Sequence, residues 1–256
     1  MKNLSGRFVI AVLGAALFFA ALGIWAFFIE PNRLVVREYD LKLRNWSPAA
    51  DGLKIVAVSD IHGGSNFIDE AKIREVVEKI NEQDADIVVL LGDFVSQQHL
   101  DRTKLKMPME TIADNLRGIN AKHGVYAVIG NHDNWYDGAK VRSELERVGY
   151  RVLEREAASF EFKGAPIRIL GVPDVLKEAN SEMYRQTAAA ALERLDVKTG
   201  DLIVLTHNPD AAVFLEETKG RSEPADLLLA GHTHGGQCRF PIIGAPIIPS
   251  EFGQKY

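Results

Sequence analysis

Five short clusters of acidic, amide and imidazole side chains carry the chemistry available to this sequence: Asp60 with His62, Asp93, Asn131 with His132 and Asp133, His207, and His232 with His234. Five of the seven histidines fall inside them. Carboxylate and imidazole without thiolate suit divalent cations of borderline or harder character, manganese first, with iron, zinc or magnesium as alternatives. Asp93 has two oxygens and could bridge two ions. Two metals about 3.5–4 Å apart lower the pKa of a bridging water, bind phosphate oxygens and stabilise both ends of an in-line displacement. The expected chemistry is metal-assisted phosphoester hydrolysis.

Each cluster alone has a blander explanation. Asp60-x-His62 could cap a helix, Gly92-Asp93 is a common turn, Asn131-His132-Asp133 could be a polar turn, and His207 could end a strand. Gly231-His232-Thr233-His234-Gly235-Gly236 also occurs as an ordinary polar loop. Their shared position argues otherwise, because each follows a short apolar run of the kind that forms a buried strand. These runs are Leu53 to Val58, Asp86 to Leu91, Gly124 to Ile129, Asp201 to Leu205 and Asp226 to Ala230. In strand-helix architectures, ligands bind beyond the carboxyl ends of the strands, where loops converge on a rigid support.

Helical periodicity predicts the intervening elements. Helices are expected over Glu70 to Asn81, capped by Asp69, and over Met109 to Ile119, Ala139 to Val148, Ser181 to Leu195 and Ala211 to Glu217. The partly alternating stretch Arg33 to Arg44 reads as a half-buried strand. Ser96 to Pro108 is polar and aperiodic and reads as a loop. Tyr150 to Leu153, Ser159 to Lys163 and Ile167 to Gly171 read as antiparallel strands, with Gly164-Ala165-Pro166 as a turn.

Residues Phe8 to Phe28 form an uncharged run of 21, where about 20 apolar residues suffice to span a bilayer as a helix. A secretory signal has a shorter apolar core and small residues at its cleavage site, which Trp25-Ala26-Phe27-Phe28 does not supply. The expected organisation is therefore an anchor over 1–32 and one domain over 33–256. Lys2 and Arg7 before the run favour a catalytic domain outside the cytoplasm, a bias weakened by Arg33 and Arg37 beyond it. A net charge of -5 gives no basic face for nucleic acid. Cys238 is the only cysteine, so no intrachain disulfide forms.

The ordered blocks Asp60-x-His62, Gly92-Asp93, Gly130-Asn131-His132-Asp133, His207 and Gly231-His232-x-His234 resemble those of the calcineurin-like metallophosphoesterase family. The resemblance implies an α/β fold of four layers, a sandwich of two mixed β-sheets flanked by helices, here preceded by one transmembrane helix. It also implies that Asp60, His62 and His234 hold one ion, that Asn131, His207 and His232 hold the other, and that Asp93 bridges. His132 would face the substrate to stabilise the phosphoryl oxygens or protonate the leaving oxygen, and Asp133 would orient its ring. The anchor and the Gly231 to Gln237 stretch, followed by Pro241 and Gly244, resemble a bacterial membrane-linked subgroup. Some of its members are phosphodiesterases, and related ones cleave a UDP-linked diacylglucosamine. Members of this type continue past the Phe252-Gly253-Gln254 region for several strands, whereas this sequence ends at Tyr256, as expected either of a fragment or of a chain that lacks those C-terminal strands.

A phosphodiester or pyrophosphate-linked substrate is expected, a phospholipid or nucleotide-linked lipid among the candidates because the anchor places the site near a membrane. A broad phosphomonoesterase and a non-catalytic metal-binding scaffold are the alternatives. Outside the clusters, His99 and His123 read as surface or loop residues, Cys238 as a small packing residue and Arg239 as solvated. Phe94, Trp135 and Tyr136 read as an apolar lip or as core.

Overall fold

A computed structural model describes residues 2–98, 101–174, 181–213, 225–240 and 243–253. The chain divides into two compact units, Met1–Tyr39 and Asp40–Tyr256. The first is dominated by helix α1, Lys2–Ile24, which runs on through a wider turn at Trp25–Ile29 and a tighter one at Glu30–Asn32. Among the described residues, Gly6–Asn32 is long and apolar enough to cross a membrane. The strand expected over Arg33 to Arg44 does not form. That stretch makes no sheet bond among the described residues, and Val35, Val36, Tyr39 and Leu41 are exposed. Alternation without a neighbouring strand to pair with does not make a sheet.

The second unit is built on two four-stranded sheets. The first is wholly parallel and contains β1 (Ile55–Val58), β2 (Ile87–Leu90), β5 (Val125–Ala127) and β6 (Arg151–Val152) in that order. The second is mixed and follows the order β10 (Leu227–Leu229), β9 (Asp201–Leu205), β8 (Ala165–Gly171), β7 (Glu156–Phe162). In it only β7 and β8 run antiparallel, as a hairpin turned at Lys163 and Gly164, both at positive φ. The expected pairing of Tyr150 to Leu153 with that hairpin is replaced by parallel pairing of β6 with β5 in the first sheet.

Strand composition explains the layering. All four residues of β2 are buried because both of its faces are covered. Val88 and Leu90 meet Ile73, Val77 and Ile80 of α2 (Glu70–Asn81), Met109, Ile112 and Leu116 of α3 (Met109–Leu116), and Val141 and Leu145 of α5 (Gly138–Arg147). Ile87 and Val89 face the other way and join Ile167, Ile169, Ile203 and Leu205 of the second sheet. Beyond that sheet, Leu170, Leu202 and Val204 pack on Ala188 and Ala191 of α6 (Ser181–Glu193). The result is helix, sheet, sheet, helix, with each buried Leu or Ile contributing about 1.5–3 kcal/mol. Asp69 caps α2 as expected, accepting from the Lys72 N–H at 2.8 Å.

The segment expected to be a loop after Asp93 instead contains an antiparallel hairpin, β3 (Gln97–Gln98) with β4 (Asp101–Leu105). His99 and most of the helix expected over Ala211 to Glu217 lie outside the described residues. After β10 the chain makes a tight turn at His234–Gly236 and a bridge between Phe240 and Gly244. Buried Asp210, in the turn after β9, then accepts hydrogen bonds from Ser250 Oγ and the Glu251 N–H, which fixes the segment that follows.

Candidate metal centre

β1, β2 and β5 run parallel in the first sheet and β9 and β10 in the second, and the carboxyl ends of all five deliver the clusters to one place. Asp60 follows β1, Asp93 follows β2, Asn131 opens the short helix α4 (Asn131–Tyr136) after β5, His207 follows β9, and His232 and His234 follow β10. The turns are sharp. Asp60, His62, Asp93, His232 and His234 stand at φ of 55°, 47°, 57°, 69° and 49°, in the left-handed region that L-residues avoid. Glycines let neighbouring loops approach. A Cβ on Gly231 would run into Ser59 Oγ, and one on Gly130 would run into the Asp93 carboxylate.

The ligand-type atoms form overlapping groups, each within 4.8 Å: Asp60 with His62 and His234, His62 with Asp93 and His132, and Asp93 with His207 and His232. His62 Nδ1–H donates to the Val95 carbonyl at 3.1 Å, and His207 Nδ1–H donates to the Leu91 carbonyl at 2.7 Å. A carbonyl can only accept, so each ring commits its Nδ1–H to the backbone and aims Nε2 inward. Asp93 Oδ2 lies between them, 3.7 Å from His62 Nε2 and 3.2 Å from His207 Nε2. His207 Nε2 is also 3.1 Å from Asn131 Oδ1 and 3.1 Å from His232 Nδ1. On the other side, His62 Nε2 is 3.3 Å from His234 Nε2, which is 3.4 Å from Asp60 Oδ1.

The chemistry of these residues fits divalent cations. Asp60 Oδ1 is buried without a hydrogen-bond partner, while Asp60 Oδ2 accepts from the His232 N–H at 3.0 Å. Lone pairs that face one another are unfavourable unless a positive charge sits among them. Ligand atoms sharing an ion through bonds of about 2.1 Å stand roughly 3.0–3.4 Å apart, close to the spacing seen here. Burial pulls His207 down, but the hydrogen bond and charge of Asp93 push it up to about 9. Burial would raise Asp93, but His207 and His62 hold it below the usual carboxylate range. Burial lowers His62 and His232, and takes His132 down to about 4.

Asp133 plays a different part from the one expected. Its Oδ1 accepts from the N–H groups of Phe94 and Val95 at 2.8 and 3.1 Å, and its Oδ2 from those of Asp93 and Gly130 at 2.8 and 3.0 Å. It therefore holds the loop that presents Asp93. Burial and the Asp93 charge push it up to about 7. The partner of the His132 ring is Gln97 of β3, whose Oε1 is 2.6 Å from His132 Nδ1. Nothing in the residue type of Gln97 signalled this. Val95 and Leu91 are equally silent, since they act through their carbonyls.

Of the residues expected to form a lip, Phe94 is buried core, Tyr136 packs half-buried on the same core, and Trp135 is 40% exposed with its ring 4.6 Å from that of His132. Cys238, expected to pack, is exposed, as is Arg239. His123 is half-buried, stacked at 4.8 Å on Phe160, and takes no part in the cluster.

Residues 53–236, which hold every cluster, match the family profile described as calcineurin-like phosphoesterase. The chain belongs to the calcineurin-like phosphoesterase family. It is a phosphate-ester hydrolase of a metal-dependent family. Metallophosphoesterase YkuE of Bacillus subtilis is 30% identical over all of this chain and 85% of its own length. Phosphodiesterase YaeI of Escherichia coli is 29% identical over 77% of this chain and 66% of its own length. The UDP-2,3-diacylglucosamine pyrophosphatase LpxG of Chlamydia trachomatis is 26% identical over 85% of this chain and 74% of its own length.

Proposed function

We propose that this calcineurin-like phosphoesterase is a membrane-anchored, dinuclear hydrolase of phosphodiester or pyrophosphate-linked lipid substrates. Asp60, His62 and His234 would hold one divalent ion, manganese first, and Asn131, His207 and His232 the other, with Asp93 shared. The observation that carries this reading is Asp93 Oδ2 standing between the inward-aimed Nε2 atoms of His62 and His207, 3.7 and 3.2 Å away. When bound, such ions supply a water of lowered pKa and positive charge for the phosphoryl oxygens. Asn131 contributes a neutral oxygen, which leaves net positive charge for an anionic substrate. His132 would meet the leaving oxygen, and Asp133 keeps the Asp93 loop in register through four N–H groups.

The preference for a lipid diester is supported by the apolar N-terminal helix and by relatives that include a phosphodiesterase and a lipid pyrophosphatase. In this reading residues 1–32 are the anchor and 33–256 the hydrolase, with the hydrolase outside the cytoplasm. Purified full-length protein loaded with manganese should hydrolyse chromogenic diesters, and Asp93→Asn should abolish turnover. Activity on monoesters alone would overturn the diester assignment, and unchanged activity of Asp93→Asn would overturn the shared carboxylate. A reporter fused at the C-terminus that is active only inside the cell would overturn the membrane orientation.

A further inference from the structure

Gln97 has neither metal-ligating nor acid-base character, yet both ends of its amide engage His132. Its Nε2 donates to the His132 carbonyl oxygen at 2.6 Å, and its Oε1 stands 2.6 Å from His132 Nδ1. The first contact settles the second. A carbonyl oxygen only accepts, so the amide NH2 must face it and Oε1 must face the ring. Oε1 also only accepts, so Nδ1 must carry a proton. Nε2 is then the one ring nitrogen free to act. Asp133 cannot set the ring, because its two oxygens accept from four backbone N–H groups. The ring is confined on two further sides, with the His62 ring edge-on at 4.7 Å and the Trp135 ring at 4.6 Å. The His132 N–H donates to Asp93 Oδ1 at 2.8 Å. Gln97 thus joins the ring to the strand end that carries the shared carboxylate, four residues upstream of it.

We propose that Gln97 is the positioning residue of the hydrolysis: it sets the plane and tautomer of His132 so that Nε2 alone addresses the leaving oxygen. This rests on the phosphoester-hydrolase reading of the same site. In the step it supports, the oxygen of water forms the new bond to phosphorus while the bond from phosphorus to the leaving oxygen breaks. Bare Nε2 first takes up a proton from solvent and gives it to the leaving oxygen, and the ring returns to the neutral Nδ1–H form from which Gln97 accepts. The proton released by the attacking water balances the one delivered.

The test uses the full chain with Gln97→Leu, which keeps the volume and removes both hydrogen bonds, and Gln97→Glu, which keeps an acceptor for Nδ1–H. Turnover is compared on a phenyl and a 4-nitrophenyl diester, since the poorer leaving group needs the proton more. In Gln97→Leu, kcat on the phenyl ester should fall about tenfold more than on the nitrophenyl ester, with KM and metal content unchanged. Gln97→Glu should recover most of that difference. Equal losses on both esters, no loss on either, or loss of bound metal would each overturn the assignment. Nitrogen-15 NMR of the His132 ring in the zinc-loaded chain, assigned with His132→Ala, reads the tautomer without turnover. A protonated Nδ1 and a bare Nε2 are expected, with the preference lost in Gln97→Leu. The reverse tautomer, or one unchanged in Gln97→Leu, would overturn the proposal. A chain inactive on every diester would defeat the hydrolase reading, and the ring nitrogens would still decide the role of Gln97.

Discussion

Replacing Gly231 with Ala tests whether the close approach of two strand ends is what shapes the metal centre. The φ of Gly231 is not in the left-handed region, so alanine brings no backbone strain and any effect is steric. A Cβ there would penetrate Ser59 Oγ and stand 2.7 Å from Ser59 Cβ and 2.9 Å from Asp60 Oδ2, where ordinary contact begins at 3.4 Å. Ser59 Oγ can rotate away at the cost of its 3.3 Å hydrogen bond to the Leu91 carbonyl, but its Cβ and the Asp60 carboxylate cannot. The Gly231 loop must therefore move by roughly 0.5–1 Å, and it carries His232 and His234. Displacement of about 1 Å costs on the order of a hundredfold in rate, so kcat/KM should fall about ten- to a hundredfold, or about 1.4–2.7 kcal/mol. Overpacking of about 1–3 kcal/mol should lower Tm by roughly 2–12 °C. The assay is manganese-dependent diester hydrolysis together with metal content. Ser59→Gly in the same chain removes two of the three clashes and should recover about tenfold. Activity of Gly231→Ala within twofold of the parent at equal metal content would refute the steric argument, as would failure of Ser59→Gly to recover any of the loss.

Chelation should destabilise the chain as well as silence it. For ions at about a thousand times their Kd the loss is about 4 kcal/mol, a Tm lower by roughly 8–16 °C for a domain of this size, restored by added manganese. A melting curve indifferent to chelator would argue against ions at this cluster. Tyr150 predicts a pH window far from the site. Burial pushes its hydroxyl up to about 12, and in the fold it donates to the Leu116 carbonyl and accepts from the Ile119 N–H at 3.2 Å. With the folded value raised above the unfolded value of about 10, this contribution is intact below pH 10 and is lost as pH rises through 12. Urea midpoints of the parent should therefore fall more steeply between pH 9 and 11.5 than those of Tyr150→Phe, and parallel curves would contradict it.

The legible parts of the fold are those where side-chain type alone decides burial. Ile87 to Leu90 reads as a strand because both of its faces are covered, and Ile73, Val77 and Ile80 recur at helical spacing because α2 has one buried face. Partnership was not legible. Tyr150 to Leu153 reads equally well in either sheet, and what decides for β5 is the crossover through α5, which returns the chain parallel to its start. Gln97 to Leu105 is polar enough to read as a loop, and it pairs because the two halves of the segment meet, not because of apolar faces. The same division holds in the site. Asp60, His62, Asp93, His207, His232 and His234 were visible because imidazole and carboxylate advertise metal chemistry. The Val95 and Leu91 carbonyls hold the rings of His62 and His207, the four N–H groups around Asp133 hold the Asp93 loop, and Gln97 meets His132, all through groups that are common to many residues or to every residue.

One consequence of that scaffolding joins stability to function. Five of the candidate ligands hold positive φ without being glycine, at a cost of about 1–2 kcal/mol each. Their backbones are tied in place: Asp60 N–H donates to the Gly92 carbonyl, His62 N–H to the Asp93 carbonyl, and His232 N–H to the Asp60 carboxylate. Each bond links one ligand loop to another, so no single loop can relax to an unstrained turn without releasing its neighbour. The strained backbones therefore stand or fall together. Binding at one of these three loops should therefore stiffen the other two.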